Sequence, residues 1–249
     1  MPSKPLQHAE YDDIADEYAA SKQLPFRTVV EAPTLFSLAG DVQGLAVLDL
    51  PCGDGTYSRA LARRGAASVQ GIDLSGAMIE RARQAERQAP LGISYRVGDA
   101  ADLGVVGAFD LILASYLFNY AQTRAQLLVF ARTVYANLKP GGRLVGMNDN
   151  PRTSLDRYGS YAAYGFSREV EQPRREGARV RYSFFRPDGT SFGFDNFWLA
   201  PQTYEEVFAE AGLAGFRFVD PIAASPEGED WNGFLRDCPI TGLAAHRPG

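Results

Sequence analysis

From residue 45 onward, short aliphatic runs alternate with stretches of helical period, and few folds accommodate that alternation. The runs at 45–50 (LAVLDL), 69–74 (VQGIDL), 93–97, 109–114 and 143–147 read as buried strands. Residues 54–64, 75–88 and 123–138 carry helical spacing between them. Gly65 stops the first helix, Ser75 caps the second, and Pro90 ends it. Lys139-Pro140-Gly141-Gly142 closes the third. A strand–helix–strand rhythm of this length predicts an α/β fold, a parallel sheet with helices on both faces. A helix near 202–211, a strand near 214–219 and a last strand near 240–246 continue it.

Two regions break the rhythm. Residues 8–38 precede the first strand and read as helical, with Tyr11, Ile14 and Tyr18 on one face. Residues 150–199 lack helical period but are rich in aromatics. Extended runs at 179–186 and 191–199 flank the turn signal Pro187-Asp188-Gly189, which predicts a β-hairpin insertion. Arg174, Arg175, Arg179 and Arg181 read as a solvated strand face. The whole chain, 1–249, is expected to form one domain. Its parts would be a helical N-terminal cap (5–40), a ligand-binding core (41–149), a β-rich insertion on the substrate side (150–200) and the end of the core sheet (201–249).

Charge narrows the partners. With 25 Lys and Arg against 30 Asp and Glu, the net charge is −5 and no basic excess exists for binding nucleic acid. The longest near-apolar run, 111–118 (LILASYLF), is far short of the roughly 18 residues of a membrane span. The N-terminus lacks the apolar core of a secretory signal, so a cytoplasmic location and no membrane partner are expected. Cys52 and Cys238 are the only cysteines, too far apart in sequence to suggest a zinc site. Oligomeric state is not legible here.

The most informative segment is 47–57, VLDLPCGDGTY, where a strand enters a glycine-rich turn and then a helix. Gly53 and Gly55 let backbone N–H groups approach a ligand. Asp73 ends the second strand about twenty residues on, where a carboxylate can accept both hydroxyls of a ribose. Asp99 follows the third strand and could accept from an adenine amino group. A dinucleotide would use much of this, but the third glycine of its fingerprint is replaced by Ser58. Asp49, at the mouth of the loop, would also repel a pyrophosphate. A ligand with an ammonium group and no phosphate, such as S-adenosylmethionine, suits the three aspartates better.

At these residues the chain resembles the class I S-adenosylmethionine-dependent methyltransferases. The resemblance rests on VLDLPCGDGTY (47–57), GIDLSGAMIERAR (71–83), VGDAADL (97–103), FDLILASYLFNY (109–120) and LKPGGRLV (138–145). It implies a Rossmann-like seven-stranded sheet whose last strand runs antiparallel between its neighbours. It implies that Asp73 holds the ribose, that Asp99 and Ala100 meet the adenine, and that Leu74 and Met78 pack on the adenine face. Gly53 and Gly55 would back the methionine moiety, Asp49 would steer its ammonium, and Ser115 and Tyr116 would lie near the sulfonium. Pro51 stands where the family usually has the first glycine of the loop. A narrower resemblance, to the toxoflavin-biosynthesis methyltransferases, is carried by HAEYDDIADEYAA near the start, SYLFNYA (115–121) and WNGFLRDCPITGL (231–243). It implies N-methylation of a pyrimidotriazine-like ring in secondary metabolism, with S-adenosylhomocysteine as the second product. It matches least over 150–199.

A sulfonium methyl is already activated, so the protein mainly aligns the acceptor and excludes water. Only His8 and His246 could serve as histidine bases, which favours an acceptor of low pKa. Asp149 and Asp195 are the carboxylate base candidates. Of the two carboxylates near the fourth and fifth strands, Asp110 begins a strand and Asp149 stands alone, so no metal is expected. Aromatic faces hold a flat heterocycle well, and Tyr11, Tyr116, Phe118, Tyr120, Trp198 and Trp231 are candidates to line its slot. Tyr11 and Tyr18 could also close over the cofactor, and Asn119 and Asn148 could bond ring carbonyls or nitrogens. Other acceptors on the same fold, a phenolic oxygen, a carboxylate or an amino-acid nitrogen, stay open. So do a dinucleotide oxidoreductase and a catalytically silent subunit.

Overall fold

The computed structural model describes residues 24–158, 161–186, 188–224 and 231–249. A π-helical turn, Arg27–Glu31, leads into α1 (Ala32–Ala39). Then follow β1 (Ala46–Asp49), α2 (Thr56–Arg63), β2 (Ser68–Asp73), α3 (Gly76–Gln88), β3 (Ser94–Val97) and β4 (Phe109–Leu113). The core continues through α4 (Arg124–Asn137) and β5 (Leu138–Asp149). After an inserted sheet, β6 (Phe166–Val170), β7 (Ala178–Phe185) and β8 (Ser191–Trp198), it closes with α5 (Pro201–Glu210), β9 (Ala214–Val219), α6 (Asn232–Arg236) and β10 (Ile240–His246).

The core is a seven-stranded sheet in the order β3-β2-β1-β4-β5-β10-β9. Strands β1 to β5 run parallel, and β10 runs antiparallel between β5 and β9. This is the Rossmann-like, seven-stranded arrangement the resemblance implied. Alternate side chains feed two cores, because successive residues of a strand point to opposite faces. Val47, Leu111 and Leu113 join one cluster and Leu48 and Ile112 the other, all completely buried. Capping fixes where the helices begin. Ser75 Oγ accepts from Met78 N–H and starts α3, and Thr123 Oγ1 accepts from Gln126 N–H and starts α4, both at 3.2 Å.

Two departures from the sequence reading matter for function. Strand β5 runs to Asp149 rather than stopping near 147, because Ile240 and Thr241 pair with Asp149 and Asn148. The insertion holds three antiparallel strands, not the two of a hairpin. The extra strand, β6, reads FSREV, with Arg168 at a buried position where an apolar residue would have signalled a strand. The inner face of this sheet carries Phe166, Tyr182, Phe184 and Phe194 as a ring array, with centroids 5.6–6.1 Å apart along Phe184–Phe194, Tyr182–Phe194, Phe166–Tyr182 and Tyr182–Phe184.

Candidate active site

An open cleft of about 890 Å³, solvent at its mouth included, lies beyond the carboxyl ends of β1, β2, β3 and β4. Four segments that each follow a strand bring its walls together. Pro51, Cys52, Gly53 and Tyr57 come after β1. Asp73, Leu74 and Met78 come from the end of β2 and the start of α3, Asp99 and Ala100 from beyond β3, and Ser115, Tyr116 and Tyr120 from beyond β4. Of the residues assigned to the cofactor from sequence, Pro51, Gly53, Asp73, Leu74, Met78, Asp99, Ala100 and Ser115 therefore share one cleft.

The loop is held by the carboxylate of Asp73. Its Oδ2 accepts from Gly53 N–H at 2.7 Å and its Oδ1 from Ser75 N–H at 2.9 Å. A carboxylate is an acceptor-only group of the kind that takes both hydroxyls of a vicinal diol. Gly53 has φ +55°, and a Cβ there would meet nothing within 4 Å, so the loop presents open space to the cleft. Ser115 Oγ is buried at the cleft wall and has no hydrogen-bond partner among the described residues. An acidic diol site, an apolar shelf of Leu74 and Met78, and an unpartnered hydroxyl fit S-adenosylmethionine. Cys52 also lines the cleft, but burial, and then Asp49 and Asp73, push its thiol well up, so it stays neutral.

Two residues assigned to the cofactor do not line the cleft. Gly55 does not line the cleft: its N–H closes a turn on Cys52 O at 3.0 Å, and a Cβ would sit 2.5 Å from the Tyr95 hydroxyl. That glycine serves close packing and a left-handed φ of +81°. Asp49 is buried behind the loop, where Oδ2 accepts from Ser58 Oγ at 2.6 Å. Its charge reaches the cleft as a field rather than by contact. Tyr11 and Tyr18 lie outside the described residues.

A second, smaller pocket, of about 350 Å³ with the solvent at its mouth included, adjoins the first, and Tyr116 and Tyr120 line both. Phe26, Phe166, Tyr182, Phe184 and Phe194 give it aromatic walls, and Arg27, Asp149 and Asn196 give it polar ones. Asp149 is buried at the end of β5, and burial raises its pKa although the cation of Arg168 and the Tyr182 hydroxyl both work the other way. The Tyr182 hydroxyl donates to Asp149 Oδ1, and Asn196 Nδ2 approaches Oδ2 at 3.4 Å.

Glu31, fully buried, ties the two cavities together. Its carboxylate accepts from the hydroxyls of Tyr57 and Tyr116, each at 2.5 Å, and from Arg27 Nη1. Tyr57 lines the first cavity, Arg27 the second, and Tyr116 both. Tyr116 adopts a left-handed φ of +64°, a strained conformation for a side-chain-bearing residue. Its N–H, donating to Met147 O at 2.7 Å, and its bond to Glu31 hold it there.

Of the substrate-side and base candidates among the described residues, Tyr116, Tyr120 and Asp149 line the second cavity. Phe118 is buried in the core against Phe208, with ring centroids 5.0 Å apart. Asn148 donates to the Tyr204 hydroxyl at 3.2 Å, and Asn119 is buried outside both cavities. Trp198 donates to Pro151 O at 3.0 Å, and Trp231 packs on Tyr164 and Phe234. Neither tryptophan lines either of these two cavities. Asp195 lies on the outer face of β8, paired with Arg181 at 3.3 Å and Arg179 at 3.7 Å. The sequence reading missed Arg27, Glu31, Arg168, Tyr182 and Asn196. The buried position of Arg168 in β6 was invisible without the third strand.

Residues 47–142 match the family model described as Methyltransferase domain. A ubiquinone biosynthesis O-methyltransferase of Cereibacter sphaeroides is 34% identical over 156 residues, 60% of this chain and 58% of that protein. A ribosomal protein L11 methyltransferase of an Exiguobacterium species is 34% identical over 134 residues, 53% of this chain and 40% of that protein. The chain thus spans about half the length of these curated relatives. Among solved structures, an S-adenosylmethionine-dependent methyltransferase from Clostridium acetobutylicum superposes with a TM-score of 0.68 at 18% identity, covering 94% of this chain and 99% of that one. The DhpI-SAM-HEP complex superposes at 0.65 and 19% identity, covering 99% of this chain and all (100%) of that one. These two likenesses are likenesses of fold.

Proposed function

We propose that the chain is a class I S-adenosylmethionine-dependent methyltransferase that transfers a methyl group to a ring nitrogen of a small planar aza-heterocycle, pyrimidotriazine- or pteridine-like; the match of residues 47–142 to a methyltransferase-domain model and the likeness of fold support the first part. One observation carries the reading: a cavity with aromatic walls and a few buried polar groups opens beside the cofactor cleft and shares Tyr116 and Tyr120 with it. Flat rings stack on such walls, and edge groups select among them.

S-adenosylmethionine, when bound, supplies a methyl carbon already activated on a sulfonium. The work left to the protein is alignment and exclusion of water. Asp73 accepts the ribose hydroxyls, Leu74 and Met78 hold the adenine face, and Asp99 accepts from the adenine amino group. Tyr116, fixed by Glu31 and the Met147 carbonyl, stands between cofactor and acceptor and sets their separation. The ring array of the inserted sheet fixes the plane of the acceptor.

A second reading, transfer to a phenolic oxygen, draws on the likeness to the ubiquinone biosynthesis O-methyltransferases. A methyl-acceptor screen separates the two. With S-adenosylmethionine present, product mass is followed across pyrimidotriazines, lumazines and xanthines, with phenols and aromatic acids as the contrast set. A gain of one methyl on a ring nitrogen is the expected result. Methylation confined to phenols or acids would keep the domain and overturn the acceptor.

A further inference from the structure

The second cavity holds a carboxylate whose hydrogen bonding is incomplete. Asp149 is buried, and among the described residues its side chain accepts one hydrogen bond on each oxygen, from the Tyr182 hydroxyl on Oδ1 and from Asn196 Nδ2, a long one at 3.4 Å, on Oδ2. A buried carboxylate that accepts so few bonds is costly, and its remaining lone pairs adjoin a cavity. Asn196 Oδ1, also buried and lining that cavity, has no donor among the described residues. Two acceptor atoms are thus left for a molecule that brings donors.

Behind this pair sits Arg168, almost completely buried. Its Nη1 donates to Pro239 O at 2.9 Å and lies 3.4 Å from the Tyr182 hydroxyl, and its guanidinium carbon is 4.3 Å from the ring centroid of Tyr158. It lines neither cavity. The order is cation, phenol, carboxylate, cavity: Arg168 orients the Tyr182 hydroxyl, and Tyr182 orients Asp149.

Resting on the reading of the second cavity as the acceptor's, we propose that Asp149 takes the ring N–H proton during methyl transfer, with Tyr182 and Arg168 as its positioning residues. The acceptor is then a ring with two N–H donors on one edge, one lost to Asp149 and one kept on Asn196 Oδ1. As the C–S bond breaks, its electron pair stays on sulfur and the sulfonium charge disappears. The ring nitrogen's lone pair forms the new C–N bond, and the N–H bonding pair stays on the nitrogen. The proton moves to Asp149, which becomes the neutral acid and returns the proton to solvent.

The carboxylate is the working form, so the rate rises with pH as Asp149 ionises. Burial places that step above the usual carboxylate range. The groups facing it are Arg27, itself paired with Glu31, from the π-helical turn, Tyr116 and Tyr120 from the segment after β4, Tyr158 beyond β5, Arg168 from β6, Tyr182 from β7 and Tyr204 from α5. The two arginines favour the ionised form.

The test uses the full chain with S-adenosylmethionine and N–H heterocycles whose acidity spans several pH units. For weakly acidic rings, Asp149→Asn should lower kcat about 100-fold or more, the range of general base catalysis, with KM for S-adenosylmethionine little changed. For rings that are already anions, its rate should approach wild type. Arg168→Met should move the rising limb of the pH–rate profile to higher pH, and Arg168→Lys should bring it back. Infrared titration without an acceptor should show one protonated carboxyl persisting above the usual range in wild type and missing in Asp149→Asn. If Asp149→Asn alone fails to fold, the double variant with Arg168→Met removes both buried charges and keeps the comparison open. Wild type that turns over N–H rings while Asp149→Asn does so equally overturns the base. Wild type that methylates no N–H ring overturns the acceptor reading, and the base with it.

Discussion

In the first cavity most of the lining arrives in short pieces, 50–53, 73–74 with Met78, 98–100 and 115–117, each at or just after the end of a strand of the parallel sheet. In the second, neighbours in space are distant in sequence: Phe26, Tyr116, Asp149, Tyr182, Asn196 and Ile240. A strand end fixes the place of the residues just after it, so each local motif carries its own position. The second cavity exists only where the core sheet, the inserted sheet and the N-terminal turn meet. On the proposed reading, a chain built this way can change its acceptor by altering the insertion while the loops after β1 to β4 stay as they are.

The sharpest test of that separation is the residue that crosses it. Glu31 bonds Tyr57, Tyr116 and Arg27 at once. Glu31→Ala leaves the guanidinium of Arg27 buried without its carboxylate, a change that costs about 3–5 kcal/mol in comparable buried pairs. Urea unfolding should show that loss, and binding should weaken in both cavities. A stable variant with S-adenosylhomocysteine affinity intact would show that Glu31 belongs to the second cavity alone.

Next in size is Asp73→Ala, which should act on one side only. Hydrogen bonds to a charged group contribute about 1.5–3 kcal/mol each, so affinity for S-adenosylhomocysteine should fall roughly 100-fold by calorimetry. KM for the acceptor should stay within about threefold, since Asp73 lines the first cavity and not the second. Equal losses for both ligands would mean that the Asp73–Gly53 bond braces the whole site.

The same contrast explains what could be read without coordinates. Asp73, Leu74, Met78, Asp99 and Ala100 stand at strand ends that the alternation of elements had located, so their convergence followed from topology. Gly55 went astray because a glycine required by Tyr95 looks, in sequence, like one required by a ligand. Trp198, Trp231 and Phe118 were chosen for ring size, but a large ring is equally a core residue, and facing cannot be read where the fold is irregular. Arg168 and Glu31 look like surface charges in sequence, and only their partners, Tyr182 and Tyr116 among them, make burial tolerable. The third inserted strand hid for the same reason.

The smallest expected effect separates the two carboxylates that sequence ranked together. Strand alternation sends Phe194 and Asn196 to the inner face of β8 and Asp195 to the outer one. There it pairs with Arg181 and Arg179, whose side chains are 46% and 62% exposed. Exposed pairs of this kind contribute about 0–1 kcal/mol, so Asp195→Asn should hardly shift the urea midpoint. Turnover should change less than about twofold, well below the range of a lost general base. A large fall in kcat would require the outer face of the inserted sheet to meet the acceptor, which would invert its orientation over the site. A null result beside a large Asp149→Asn effect would locate proton removal on one side of a single inserted sheet.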